Sequence, residues 1–143
     1  MSTLPPAKTP CAACPYRRDV PAGVWSAEDY AKLPPYDGET GAQPAGVFQC
    51  HLYDGDDERA RVCGGWAGCH DGVHLLALRL ALVTGGMSAA DVEATVDYES
   101  PVPLFASGAE AAAHGMSGIE TPGEEALAAM SKIRRTRSDL DQR

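Results

Sequence analysis

The sequence predicts a mainly α-helical fold with one small β-hairpin and a cysteine-ligated metal site in the N-terminal half. Three observations carry this. Cysteines fall at 11, 14, 50 and 63, with Cys69 beyond, in a chain whose 44% hydrophobic content includes much alanine and only two Phe and two Trp. Alanine buries little area, so a metal cross-link would compensate for a thin core. Helix-capping residues precede several apolar runs, and an Asp-Gly turn signal in "DGDD" separates two strand-like runs.

In chain order, residues 1–10 read as a flexible, proline-containing lead-in. Ser26 with Asp29 resembles a capping box and opens a helix in "WSAEDYAKL" that stops at Pro34-Pro35. "PPYDGETGAQPAG" is turn-rich. "VFQCHLY" and "ERARVC" then form the hairpin; a tip at 55–58 pairs Tyr53 with Ala60 and sets Cys50 directly opposite Cys63. Opposed residues on an antiparallel ladder share a face, with Cβ atoms about 4.5–5.5 Å apart. Both thiolates would therefore face the pair from the Cys11-x-x-Cys14 knuckle, whereas a one-residue slip would part them.

After "GGWAG" the chain turns helical. Asp71 caps a helix from Val73 to Val83 that is apolar on most faces, which predicts a central buried position, ending at Gly85-Gly86. Ser88 with Asp91 caps a shorter helix to Asp97. "SPVPLF" is extended because the residues before Pro101 and Pro103 are pushed out of the α region, and packing against the central helix is its expected role. Gly108 to His114 is an alanine-rich helix ending at Gly115, and Thr121, Pro122 and Glu124 open a last helix to Arg135. Residues 11–131 thus form one metal-binding domain, with the site in 11–70 and a helical part in 71–131. Residues 132–143 are a basic tail.

The net charge is −8, and the tail carries +3 of it, leaving −11 on residues 1–131. An acidic body repels nucleic-acid phosphates, so only the tail 132–143 offers them a contact. The longest apolar run, "LLALRLALV", is too short for a bilayer and contains Arg79, and no signal-peptide pattern precedes the domain. The expectation is a soluble cytoplasmic protein. In a reducing compartment, five cysteines point to metal ligation more than to disulfides.

Four thiolates suit zinc or an iron–sulfur cluster. The spacing Cys11-x2-Cys14-x35-Cys50-x12-Cys63 lacks the second knuckle of a zinc ribbon, and Pro15 after the second cysteine is similar to ferredoxin loops. These features lean toward a [4Fe–4S] cluster, with Zn2+ as the alternative. Trp66 is expected to cover the site and exclude water, while Gly64 and Gly65 let backbone approach the sulfurs. His51 should face away from Cys50 and support the ligands from outside; a bulged strand would make it a ligand of a Cys3His zinc site. His70 and His74 read as surface residues, and Cys69 as a partly buried spare thiol.

The residues "CAACPYRRDVPAGVW", "VFQCH" and "CGGWAG" resemble a family of small proteins of actinobacteria and their phages, marked by C-x-x-C-P, F-x-C-H and C-x-G-W signatures. The resemblance covers residues 10–86 and implies a shared metal site on Cys11, Cys14, Cys50, His51, Cys63, Gly65 and Trp66. It carries no activity. The cysteine spacing also looks like the cluster ligation of certain uracil-DNA glycosylases. A weaker similarity is to WhiB-type iron–sulfur regulators, which share four cysteines, a Gly-Trp motif and a basic tail but place the close cysteine pair differently.

Neither G-x-S-x-G, H-E-x-x-H, a Walker loop nor a dinucleotide fingerprint is present, so catalysis is the weaker expectation. The expected function is that of a non-catalytic, redox-sensitive regulator acting on a protein partner and linked to transcription. The competing expectation is a zinc-stapled interaction module without sensing.

Overall fold

A computed structural model describes residues 3–50 and 60–136. Among them the fold is helical, with α1 at Ala27–Ala31, α2 at Gly64–Cys69, α3 at Leu76–Thr84, α4 at Ala89–Val96, α5 at Gly108–Met116 and α6 at Glu124–Thr136. The caps follow from the sequence. Ser26 Oγ accepts the Asp29 N–H at 3.2 Å and donates to Asp29 Oδ2 at 2.9 Å, and Ser88 Oγ accepts the Asp91 N–H at 3.1 Å. Gly85, at φ 78°, closes α3 in the left-handed conformation that glycine adopts without penalty.

The expected β-hairpin is not present as such: the described residues hold isolated bridges and no named strand. Gln49 bridges Val62 antiparallel, flanked by Cys50 N–H to Arg61 O at 2.9 Å and Cys63 N–H to Phe48 O at 2.8 Å. The register is therefore two residues from the expected one, with Cys50 opposite Arg61 and Cys63 opposite Phe48. A shift of two keeps the face, so both cysteines stay on one side. The cause lies at Cys63, which already serves as the N-cap of α2 and ends the extended run. Tyr53 and the tip at 55–58 lie outside the described residues.

Two further pairings anchor this region. Leu4 in the lead-in bridges Arg61 in parallel, with Leu4 N–H to Ala60 O at 3.1 Å and Val62 N–H to Leu4 O at 2.9 Å. Residues 16–18 meet 103–105 through Phe105 N–H to Tyr16 O at 2.9 Å and Arg18 N–H to Pro103 O at 3.2 Å. Phe105 is buried and Leu104 lies against Gly68 of α2, while Pro101 and Pro103 stay exposed, so only the end of "SPVPLF" packs inward.

The core gathers Tyr16, Tyr30, Leu33, Val62, Trp66, Leu75 and Leu78, all essentially buried. The helix at 76–84 is not the central element that its apolar run implied. Ala77, Leu78 and Ala81 face in, while Leu80, Leu82 and Val83 are exposed. Among the described residues, α3 packs chiefly on α4 and on the turn before it. Gly115 also departs from expectation: it continues α5, because a Cβ there would run into the Tyr30 ring from α1.

Asp37, at the end of the Pro34–Asp37 turn, ties these parts together. Its carboxylate accepts the Gly108 N–H at 2.7 Å and the Ala109 N–H at 2.8 Å at the start of α5, and lies 3.0 Å from His70 Nε2. Burial pushes its pKa up, but the two N–H donors and His70 outweigh this and hold it below the usual carboxylate value. A depressed folded pKa means stability that is present above the unfolded value of about 4 and lost as pH falls through the folded one. Asp37→Ala is expected to cost about 2 kcal/mol at neutral pH. Asp37→Asn should flatten the acid limb of a stability-versus-pH curve below about pH 4; an unchanged acid limb in urea melts would contradict this role.

Candidate metal centre

The knuckle is a pair of consecutive tight turns. Cys14 N–H donates to Cys11 O at 3.0 Å, and Arg17 N–H to Cys14 O at 3.1 Å. Two side chains lock it from outside: Trp25 Nε1–H donates to Ala13 O at 2.7 Å, and Arg17 Nη1 to Pro10 O at 2.9 Å while its fork grips Asp19 at 2.8 and 2.7 Å. Trp25 and Arg17 were not legible as site residues. Their partners are backbone carbonyls, which no motif marks.

The fold brings Cys11, Cys14, Cys50 and Cys63 together as two thiol pairs. Cys14 Sγ and Cys63 Sγ are 3.6 Å apart, both buried. The hydrogen bond between the two thiols outweighs burial and, with the N–H groups of Tyr16 and Gly65, holds Cys14 below its ordinary value. The same hydrogen bond, burial and the charges on Cys14 and Cys11 push Cys63 well up, against the Trp66 N–H. Cys11 is raised likewise, first by its hydrogen bond to Cys50, then by burial and by the charges on Cys50 and Cys14. Each pair thus feels the other's charge. Among the described residues no three His, Cys, Asp or Glu side chains form a group that could hold a metal ion as they stand.

The donor set nonetheless suits a thiophilic metal. A tetrahedral ion with metal–sulfur bonds of about 2.3 Å has sulfur–sulfur edges of about 3.8 Å, close to the 3.6 Å between Cys14 and Cys63. Backbone N–H groups aimed at sulfur stabilise thiolate whether the partner is a proton or a metal.

Gly65 sits in the first turn of α2 directly against Cys14 Sγ and Tyr16, so that a Cβ there would overlap both. Trp66 is fully buried behind it, ring to ring with Tyr36 at 5.3 Å and His70 at 6.4 Å. His51 lies outside the described residues. His70 is not a surface residue: its Nδ1 is 2.9 Å from Trp66 O and its Nε2 3.0 Å from Asp37 Oδ1. His74 is exposed beside Asp71 at 3.6 Å. Cys69, half-buried at the end of α2, is pushed up to about 12, mainly by burial.

Among the described residues, the buried side-chain atoms Tyr16 Oη and Trp66 Nε1 have no hydrogen-bond partner. An unsatisfied buried donor costs about 1–3 kcal/mol, and removing it without changing shape is close to neutral or stabilising. Tyr16→Phe is therefore expected to leave the melting temperature unchanged or raise it by a few degrees. A clear drop would show that the Tyr16 hydroxyl finds an acceptor in solution.

No helix among the described residues is long and apolar enough to cross a membrane. A family model described as a family of unknown function (DUF6283) matches residues 6–137, which takes in the helical half as well as the cysteines. No curated protein and no solved structure matches the chain.

Proposed function

We propose, for a chain that belongs to the DUF6283 family of unknown function, a non-catalytic metal-stapled domain that acts by binding a protein partner. Cys11, Cys14, Cys50 and Cys63 would hold one tetrahedral ion, zinc being the best fit. The supporting observation is the 3.6 Å approach of Cys14 Sγ to Cys63 Sγ. That separation is an edge of a four-sulfur tetrahedron around a single ion. A [4Fe–4S] cluster bonds each cysteine to a different iron, so it would have to spread this pair.

When bound, the ion would supply a four-point cross-link between the knuckle and the 48–63 segment and neutralise thiolate charge. The chain's own part is to fix the sulfurs. Trp25 and Arg17 hold the knuckle carbonyls, and Gly65 admits Cys14 to α2. The exposed Leu80, Leu82 and Val83 of α3 favour work done through protein contact.

Anaerobic purification followed by a visible spectrum and zinc, iron and sulfide analysis on one sample tests this. The expected result is about one zinc per chain and no colour. About four irons and sulfides per chain with a broad visible band would replace the ion by the cluster. A metal-free, fully folded chain would overturn both.

A further inference from the structure

The two thiol pairs differ in their access to solvent. Cys11 and Cys50 line a cavity of about 150 Å³ together with Pro10, Arg61, Val62 and Gly64. Neither Cys14 nor Cys63 lines it, and both are sealed at 1% and 4% exposure, whereas Cys11 is half-buried and Cys50, itself buried at 9%, is reached only through this cavity's wall. A peroxide molecule, roughly the bulk of two waters at about 30 Å³ each, fits this space. Cys11 and Cys50 share its wall, so one molecule held there meets both side chains. Entry and pairing therefore coincide at one edge of the centre.

We propose that this cavity is an oxidant entrance and that Cys11 and Cys50 are the modification site, closing to a disulfide before any other pair when hydrogen peroxide reaches the protein. One sulfur–sulfur bond forms and the peroxide oxygen–oxygen bond breaks. The two sulfurs are oxidised together by two electrons, and the two thiol protons leave with the oxygens as two waters. Where the thiolates hold a metal, the two protons come from solvent and the ion is released, because half of its ligands are gone. That release rests on the four-cysteine reading; the identity of the pair stands on the cavity and burial alone.

The sequence makes the pairing readable by peptide mass. Trypsin leaves Cys11 and Cys14 in residues 9–17, Cys50 in 33–59, and Cys63 with Cys69 in 62–79. The protein as purified is treated with one equivalent of hydrogen peroxide, blocked with N-ethylmaleimide and digested without reduction. Zinc and iron are measured before treatment, and metal release is followed during it. The expected product is 9–17 joined to 33–59, with fragmentation placing the maleimide on Cys14 and a loss of about two free thiols per chain.

Predominance of 9–17 joined to 62–79, or oxidation of Cys69 before any cross-link, would overturn the proposal. A Cys69→Ser variant should give the same product as the natural chain; a changed partner there would also overturn it. The two readings fail separately. A metal-free chain that still joins Cys11 to Cys50 sinks the metal centre and keeps the entrance. A metal-loaded chain that joins Cys14 to Cys63 does the reverse.

Discussion

Replacing Cys63 by Ser is expected to leave the protein without stoichiometric metal and to lower its stability by more than about 4 kcal/mol. Cys63 combines three roles at one position. It is buried at 4% exposure, its Sγ lies 3.6 Å from Cys14 Sγ, and its backbone occupies the N-cap position of α2. Losing a ligand removes binding energy that in small metal domains is also folding energy, on the order of 10 kcal/mol for structural zinc. Cys69→Ser is the matched control. Its half-buried thiol stands outside the two pairs, so a change within about 1 kcal/mol and full metal content are expected. Metal analysis and urea melts on both variants decide the matter, and a metal-replete, normally stable Cys63→Ser protein would remove this residue from the ligand set.

Gly65→Ala should be the next most damaging change, costing about 3 kcal/mol and weakening metal retention. A single methyl at this position meets Cys14 Sγ and the Cβ of Tyr16, both held by the knuckle and neither able to swing away as the tip of a long side chain could. Gly41→Ala provides the contrast, because nothing lies within 4 Å of the added atom. It is expected to be neutral or to stabilise by about 0.5 kcal/mol through the unfolded chain. Equal melting curves for the two variants would show that α2 does not press on the knuckle.

What the sequence made legible was local chemistry. Ser26, Ser88 and Gly85 announce helix ends because capping depends on residues within one turn. The parity of Cys50 and Cys63 was legible too, since a two-residue change in register preserves the face. What escaped notice depends on partners far along the chain. Gly64 and Gly65 were expected to admit a sulfur, as Gly65 does for Cys14, but that they open a helix with the Tyr98 hydroxyl lying against Gly64 was not visible locally. Gly115 read as a stop for the same reason, with the Tyr30 ring invisible to a local window. Asp37 read as a turn residue, yet it supplies acceptors to helix α5, 71 positions away. The outward side of α3 was missed because an all-round apolar run does not say how many neighbours the fold can provide.

The pairing of residues 16–18 with 103–105 has a consequence for how the chain is made. The knuckle strand cannot complete its hydrogen bonds until Phe105 is available, and Arg18 also waits for Glu110, 3.1 Å away on α5. During synthesis at about 5–20 residues per second, the cysteines emerge some seconds before the segment that finishes their surroundings. All four thiols are therefore presented to solvent on a nascent chain that has not yet closed over them. Metal capture at that stage would precede folding of the helical half, and slowing translation between codons 63 and 105 should change how much metal the finished protein carries.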